Sequence, residues 1–325
     1  MAMTLEPGLH VVLGGSGGVG GAVARLLAEE PVALRAVNRS GRIPQLPRRV
    51  PVAAADAIWI DTLRRVCAGA RVLYHCLHPS RDVGLFLPIT RHVIEVAAET
   101  GALLVMPSCA DVYGPAEVPL TEDTPLRPSG AVAREHARAA DAVAAAHANG
   151  RIRAVIGRAG HLYGPYVRTI WPGTDFAAAL LGRPITVIGD LDAPHTFTFV
   201  DDFARGLISL GAREEAWGRV WHVPSAPVVS VRNLVALVAD AARMTPRLRR
   251  RGSAALFLRG LVSQEADQLR QLQPLFDRPF VVDHSRFDAA FDLQPTTHSK
   301  AVAQTMTWYR RLDDDRRAAA EKALR

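Results

Sequence analysis

Three glycines spaced Gly14-x-x-Gly17-x-x-Gly20 are the residues whose type and spacing most plainly do chemistry. The full run is Gly14-Gly15-Ser16-Gly17-Gly18-Val19-Gly20. The first glycine permits a tight turn, the second lets backbone approach a pyrophosphate, and the third allows a helix to pack close. A helix opened by such a loop aims its free amides and positive dipole end at the phosphate charge. The bland alternative is a glycine-rich turn with no ligand. The next candidates are Asn38, Arg39 and Ser40, after an apolar run ending at Val37. A fold that prefers NAD places an acid there to accept from the ribose 2′-hydroxyl. No Asp or Glu lies between Glu30 and Asp56. Arg39, with Arg42 near, suits a 2′-phosphate instead, so NADP(H) is expected ahead of NAD(H). Asp56 is placed to accept from an adenine amino group, or else to cap a helix from Ile58 onward.

Other reactive types carry less. His75 and His78 have no third ligand of suitable type nearby, so no metal site is expected. Cys67, Cys76 and Cys109 are widely spaced with no Cys-x-x-Cys. They read as reduced thiols of a cytoplasmic protein.

The elements that must position these residues alternate regularly. Leu9 to Leu13 is an apolar run that meets the glycines. An amphipathic stretch follows, with Val23, Leu26 and Leu27 on one face, and then the apolar run Val32 to Val37. Strand, turn, helix, strand is a βαβ unit. The alternation continues with a strand at 71–76, a helix at 82–100 and a strand at 103–106. An Ala-rich helix at 130–148 is stopped by Asn149-Gly150, and a strand follows at 152–156. The fold class is therefore α/β, a Rossmann doubly wound parallel sheet. Past about residue 165 the pattern loosens into short elements. The division expected is a dinucleotide-binding domain over 8–165, with later segments returning to it, and a smaller C-terminal substrate lobe over 166–325. Leucines between 256 and 275 suggest two helices near 253–275. A segment at 248–280 is a candidate helical lid, or ordinary packing within the lobe.

Composition excludes some roles. The chain has 325 residues, 39 basic and 32 acidic, for a net charge of +7. All but Lys300 and Lys322 of the basic residues are arginine. The densest basic cluster, Arg247 with Arg249 to Arg251, has no interleaved aromatics, so nucleic acid is not an expected partner. No apolar run is long enough to span a membrane. The first ten residues lack the pattern of a secretory signal. Oligomeric state is not legible.

Several ordered motifs then carry a resemblance over most of the chain. They are the glycine loop, Asp56, Tyr74-His75-Cys76-Leu77, Pro107-Ser108-Cys109-Ala110-Asp111-Val112-Tyr113-Gly114 and Arg158-Ala159-Gly160-His161-Leu162-Tyr163-Gly164-Pro165. Further on come Phe197-Thr198-Phe199-Val200-Asp201-Asp202, Phe291 to Pro295, and Trp308-Tyr309. The chain resembles the extended short-chain dehydrogenase/reductases of the NAD(P)-dependent epimerase/dehydratase type. The resemblance implies that Ala57, Cys76, Leu77, His78, Ser108, Ala159 and Gly160 join the cofactor site. It also implies that main chain at His161 meets the nicotinamide carboxamide. Cys109, Asp111, Tyr113 and Val132 are then candidates to line the substrate, as is Trp171 in the turn after Pro165.

The family's chemistry uses a Ser or Thr and a Tyr-x-x-x-Lys pair, in which Tyr moves a proton and Lys lowers its pKa. This chain departs at all three positions. Cys109 stands at the Ser/Thr position, and alignment on the Ala-rich helix puts Val132 and His136 at the Tyr and Lys positions. No Tyr-x-x-x-Lys occurs anywhere in the chain. No catalytic residue is therefore assigned, and His136 is kept as a ribose contact or proton relay. A substrate that supplies its own proton, such as a ketone beside an internal phenol, needs chiefly alignment with the hydride donor. The chain accordingly also resembles atypical ketoreductases of angucyclinone antibiotic biosynthesis. That resemblance implies NAD(P)H-dependent reduction of a polycyclic aromatic ketone. Two alternatives stay open: a non-catalytic NADP(H)-binding sensor or scaffold, and a sugar-nucleotide epimerase or dehydratase.

Overall fold

A computed structural model describes residues 5–78, 82–167, 176–245, 247–250 and 264–323. The strands are β1 (Leu9–Leu13), β2 (Ala33–Asn38), β3 (Val52–Ala54), β4 (Ala70–His75), β5 (Leu103–Cys109) and β6 (Arg153–Ala159). Short pieces follow: β7 (His161–Tyr163), β8 (Ile185–Val187), β9 (Pro194–His195), β10 (Phe197–Phe199), β11 (Val220–His222), β12 (Val229–Ser230) and β13 (Leu248–Arg250). The helices are α1 (Gly18–Leu27), α2 (Ile60–Cys67), α3 (Phe86–Thr100), α4 (Ala131–Ala148), α5 (Phe176–Leu180) and α6 (Val200–Gly211). They continue as α7 (Val231–Ala242), α8 (Gln264–Phe276), α9 (Ser285–Ala290) and α10 (His298–Ala323).

Seven strands form one parallel sheet in the order β11-β6-β5-β4-β1-β2-β3. Val11, Val12 and Leu13 are fully buried, as a parallel strand covered on both faces requires. One core packs Val12, Val23, Leu27, Val72 and Val105 against Leu207 and Leu210 of α6. The other packs Leu13, Leu73 and Leu104 against Ile89, Val93 and Val143 of α3 and α4. The strand order reverses beside β1, where β2 lies on one side and β4 on the other. Crevices at such switch points, outside the carboxyl ends of the strands, are where ligands bind in this fold class.

The five sheet strands and three helices read from the sequence up to residue 156 match these elements to within a few residues. The helix expected at 82–100 begins as a 3-10 turn, Val83–Leu85, whose entry is capped by Asp82 accepting from the Gly84 amide at 3.1 Å. It ends at Gly101 with φ +67°, a left-handed stop.

The boundary at 165 divides the sequence more than the fold, because α6 and β11 return to the sheet. Arg25 of α1 donates to Asp201 of α6 at 2.8 Å. The buried carboxylate of Asp202 accepts from the amide and hydroxyl of Thr296, at 2.6 and 2.8 Å. The Phe197–Asp202 motif thus clamps the C-terminal stretch to the sheet.

In the lobe, His161 and His195 are buried and stack with Phe276 and Phe280. Of the two helices expected near 253–275, the second is α8. Residues 251–263 lie outside the described residues. Gln271 of α8 accepts from the Ala131 amide at 3.2 Å, which docks α8 on the first turn of α4.

Candidate functional site

The glycine loop shows why these positions carry no side chain. Gly14 has φ +85°, and a Cβ there would stand 2.3 Å from the Cys76 carbonyl oxygen. A Cβ on Gly20 would stand 2.4 Å from the Gly14 oxygen. These two glycines press β1, α1 and the end of β4 together. Gly17 differs. Its added Cβ would make only an ordinary 3.5 Å contact with the Gly14 oxygen. The room at Gly17 fits a backbone that a diphosphate approaches. The chain enters α1 at Gly17 without a side-chain cap, and the first turn carries no acid. Gly15 and Val19 flank this entry, and Ser16 is exposed at the crest of the loop.

A cavity of about 170 Å³ opens beside the loop, with Asn38, Arg39, Asp56, Ala57, Leu77 and His78 among its walls. Ile58, Asp82, Leu85 and Ile89 also line it, and sequence reasoning gave them no role. A ring-sized, partly apolar slot at the carboxyl ends of β2 and β4 fits an adenosine. Asn38 shapes the loop more than the cavity, accepting from the Gly41 amide at 2.7 Å and donating to the Arg42 oxygen at 2.8 Å. Ser40 is exposed in the same turn, its hydroxyl donating to Asn38 Oδ1 at 3.4 Å. Asp56 lines the cavity, and one of its oxygens accepts from the Ile58 amide at 3.2 Å in the turn that precedes α2. Arg39 is exposed at the mouth.

The other end of the site is built by the end of β5, the turn after it, and the first two turns of α4. Polar atoms of Cys109, Asp111 and His136 all lie within 4.8 Å of one another. Asp111 is 8% exposed, and its Oδ1 has no hydrogen-bond partner. Burial pushes its carboxyl up to about 6, against the attraction of Arg158 and hydrogen bonds from the Val112 and Asp111 amides. His136 Nδ1 and the buried Ser108 hydroxyl are also unpartnered. Burial lowers His136 to about 4, so the ring is neutral. Its ring centroid lies 4.8 Å from that of Phe86 and 5.2 Å from that of His78. Val132 is half-buried one helical turn before His136, on the same face of α4. Burial raises the Cys109 thiol, which makes it a poor acid.

Two expectations are corrected here. Tyr113 does not line a pocket. It is fully buried, and its hydroxyl accepts from Arg158 at 2.7 Å and donates to His222 Nε2 at 2.6 Å. The other nitrogen of His222 donates to the Asp283 carbonyl at 2.7 Å, which fixes its tautomer. The sequence reading missed Arg158, a buried cation that serves both this network and Asp111. Its only sequence signal was its place at the head of a motif. At His161 the amide donates to Thr196 O at 2.9 Å, so it is not free for a carboxamide. The Gly160 amide likewise donates to Thr198 Oγ1 at 2.9 Å. Ala159 is fully buried beside them, and Trp171 lies outside the described residues.

The comparisons with known proteins agree with this geometry. The profile of the NAD dependent epimerase/dehydratase family matches residues 10–223. A dTDP-glucose 4,6-dehydratase of Streptomyces griseus is 26% identical over 76% of this chain and 74% of its own. An epimerase from Methanothermobacter thermautotrophicus superposes with a TM-score of 0.81 at 18% identity, covering 97% of this chain and 95% of its own. A UDP-glucuronic acid 4-epimerase from Bacillus cereus, in complex with UDP-glucuronic acid and NAD, gives 0.77 at 18% identity, covering 94% and 99%. The dTDP-glucose 4,6-dehydratase DesIV of Streptomyces venezuelae, with NAD and TYD bound, gives 0.76 at 19%, covering 94% and 97%.

Proposed function

Because the chain belongs to the NAD-dependent epimerase/dehydratase family, we propose that it is an NADP(H)-dependent reductase of a polycyclic aromatic ketone. The substrate class proposed is an angucyclinone-like polyketide of antibiotic biosynthesis. One observation carries the reading. The face of α4 that turns toward Cys109 and Asp111 bears Val132 and His136 in place of Tyr and Lys, and the chain has no Tyr-x-x-x-Lys at all. Losing a positioned proton donor of that kind typically costs about 10²–10⁴-fold in rate. An unactivated sugar alcohol bears that loss badly. A ketone beside an internal phenol bears it well, because the phenol already hydrogen-bonds the carbonyl.

NADP(H) would lie along the glycine loop and, when bound, would be the source of hydride for the carbonyl. The chain's own residues do the rest. Gly14 and Gly20 hold the loop against β4, and Gly17 leaves the backbone approachable. Arg39 would hold the 2′-phosphate, Asp56 and Ala57 would take the adenine, and Val132 would offer an apolar wall to a polycyclic ring.

A second reading is a sugar-nucleotide epimerase or dehydratase. The named relatives support it more directly than they support a polyketide reductase. It requires a rearranged set of catalytic groups. The deciding assay gives the purified protein NADPH and a panel of ketones, half of them with a neighbouring phenol, and separately gives it dTDP-glucose and UDP-glucose with NAD. NADPH oxidation with the phenolic ketones supports the reductase. A keto-sugar or epimer formed from the nucleotide sugars, with no ketone reduced, replaces it with the second reading. Tight NADPH binding with neither product replaces both with a sensor.

A further inference from the structure

The end of the site near α4 holds one group whose state the reduction has not yet used. We propose that Asp111, placed beside Cys109 and His136, donates the proton that completes carbonyl reduction. The inference rests on the reductase reading.

Placement comes first. The amides of Val112 and of Asp111 itself favour the carboxylate, while Oδ1 is buried and has no hydrogen-bond partner. A buried carboxyl oxygen without a partner disfavours ionisation. A carboxylate oxygen of Asp111, the Cys109 thiol and a ring nitrogen of His136 all fall within 4.8 Å of one another.

Elimination comes second. The groups that face Asp111 are Cys109 on its own turn, His136 from α4, His78 after β4 and Arg158 from β6. The Cys109 thiol is raised by burial and holds its proton too firmly. His136 is neutral, so it has no spare proton to give near pH 6 or 7. The Arg158 guanidinium is committed to the Tyr113 hydroxyl. The Ser108 hydroxyl donates a hydrogen bond but does not ionise at these pH values. Asp111, lifted to about 6, is the acid matched to the task.

The step balances. Hydride adds to the carbonyl carbon, and the C=O π pair becomes the bond between oxygen and the Asp111 proton. The products are an alcohol, the oxidised cofactor and an Asp111 carboxylate. Arg158 stabilises that charge until water returns a proton. With a phenolic ketone, the internal hydrogen bond polarises the carbonyl and Asp111 restores the proton count.

Two measurements test this. Asp111→Asn keeps the shape and should bind NADPH as the parent does, yet reduce ketones about 10²-fold or more slowly. Parent kcat/KM should fall as pH rises above about 6. Unchanged turnover in Asp111→Asn overturns the proposal and leaves the reductase reading standing. NADPH consumption absent with every ketone overturns both. The second readout needs no turnover. A difference infrared titration of parent against Asp111→Asn should show a protonated carboxyl band lost with a midpoint near 6. A midpoint near about 4, the ordinary aspartate value, overturns the proposal.

Discussion

The two ends of the site are built on opposite principles. The adenosine end is an open slot at the tips of β2 and β4, walled by side chains already committed to their own loops. Asn38 folds residues 38–42, and Asp56 caps the turn at Ile58. The reacting end is closed, and its polar atoms lack partners: Ser108 Oγ, Asp111 Oδ1 and His136 Nδ1. Buried polar atoms in native proteins are normally paired, so a cluster of orphans marks a place held ready for something else. On the proposed reading, the adenosine end relies on side chains already committed to their own loops, whereas the reacting end keeps three buried polar atoms unpartnered.

The largest expected effect breaks the binding end. Gly14→Ala forces a Cβ into the Cys76 carbonyl at a φ that alanine rarely adopts, and should cost about 3 kcal/mol or more of stability along with dinucleotide binding. Gly17→Ala is the informative partner. It should keep the parent's melting temperature but lose NADPH affinity, read by fluorescence titration. Equal stability losses in both variants would show that Gly17 is not the approach point.

Next, Val132→Phe should block ketone reduction tenfold or more while leaving NADPH affinity within about twofold, an expectation built on pocket overpacking. Unchanged turnover would place that face of α4 away from the substrate. Tyr113→Phe probes the neighbouring network. It strips Arg158 and His222 of their shared partner and should cost about 1–3 kcal/mol in denaturant melts. Activity per folded molecule should persist.

Acid sharpens the contrast differently. His75, His136 and His195 are neutral in the fold, at about 3, 4 and 4. Below the ordinary histidine value of about 6.5, the unfolded chain binds protons that the fold refuses, so stability falls as pH drops from there toward 4. Asp111 acts in the opposite sense between its unfolded value of about 4 and its folded value, because its proton stays on in the fold. The histidines outnumber it, so the net slope is acid loss. A flat profile from pH 7 to 5 in urea melts would contradict the burial of these rings. The smallest effect expected is Arg39→Ala, about tenfold in NADPH Kd with NADH unaffected.

Legibility in the sequence follows the same division. The β1–glycine loop–α1 unit could be read because hydrophobic period and glycine spacing are local. Arg39 and Asp56 could be read because they end strands at fixed offsets from that loop. The Arg158–Tyr113–His222 network could not, since it joins residues 45 and 109 positions apart. Tyr113 looked like a pocket residue because its neighbours along the chain are, but its ring turns the other way. The lobe was opaque for another reason. Its strands are only two or three residues long, too short to display a period. Asp111 was visible as an acid near the site. Its missing partner was not, because an unpaired atom is a property of packing.

The most direct test of the account follows a deuteride. The protein is given NADPH deuterated at the transferring position and a phenolic polycyclic ketone, and the product is read by NMR. The account predicts one deuterium on the new carbinol carbon and none when Gly17 carries a side chain. An alcohol free of deuterium, or no alcohol while a nucleotide sugar is epimerised or dehydrated, would contradict it.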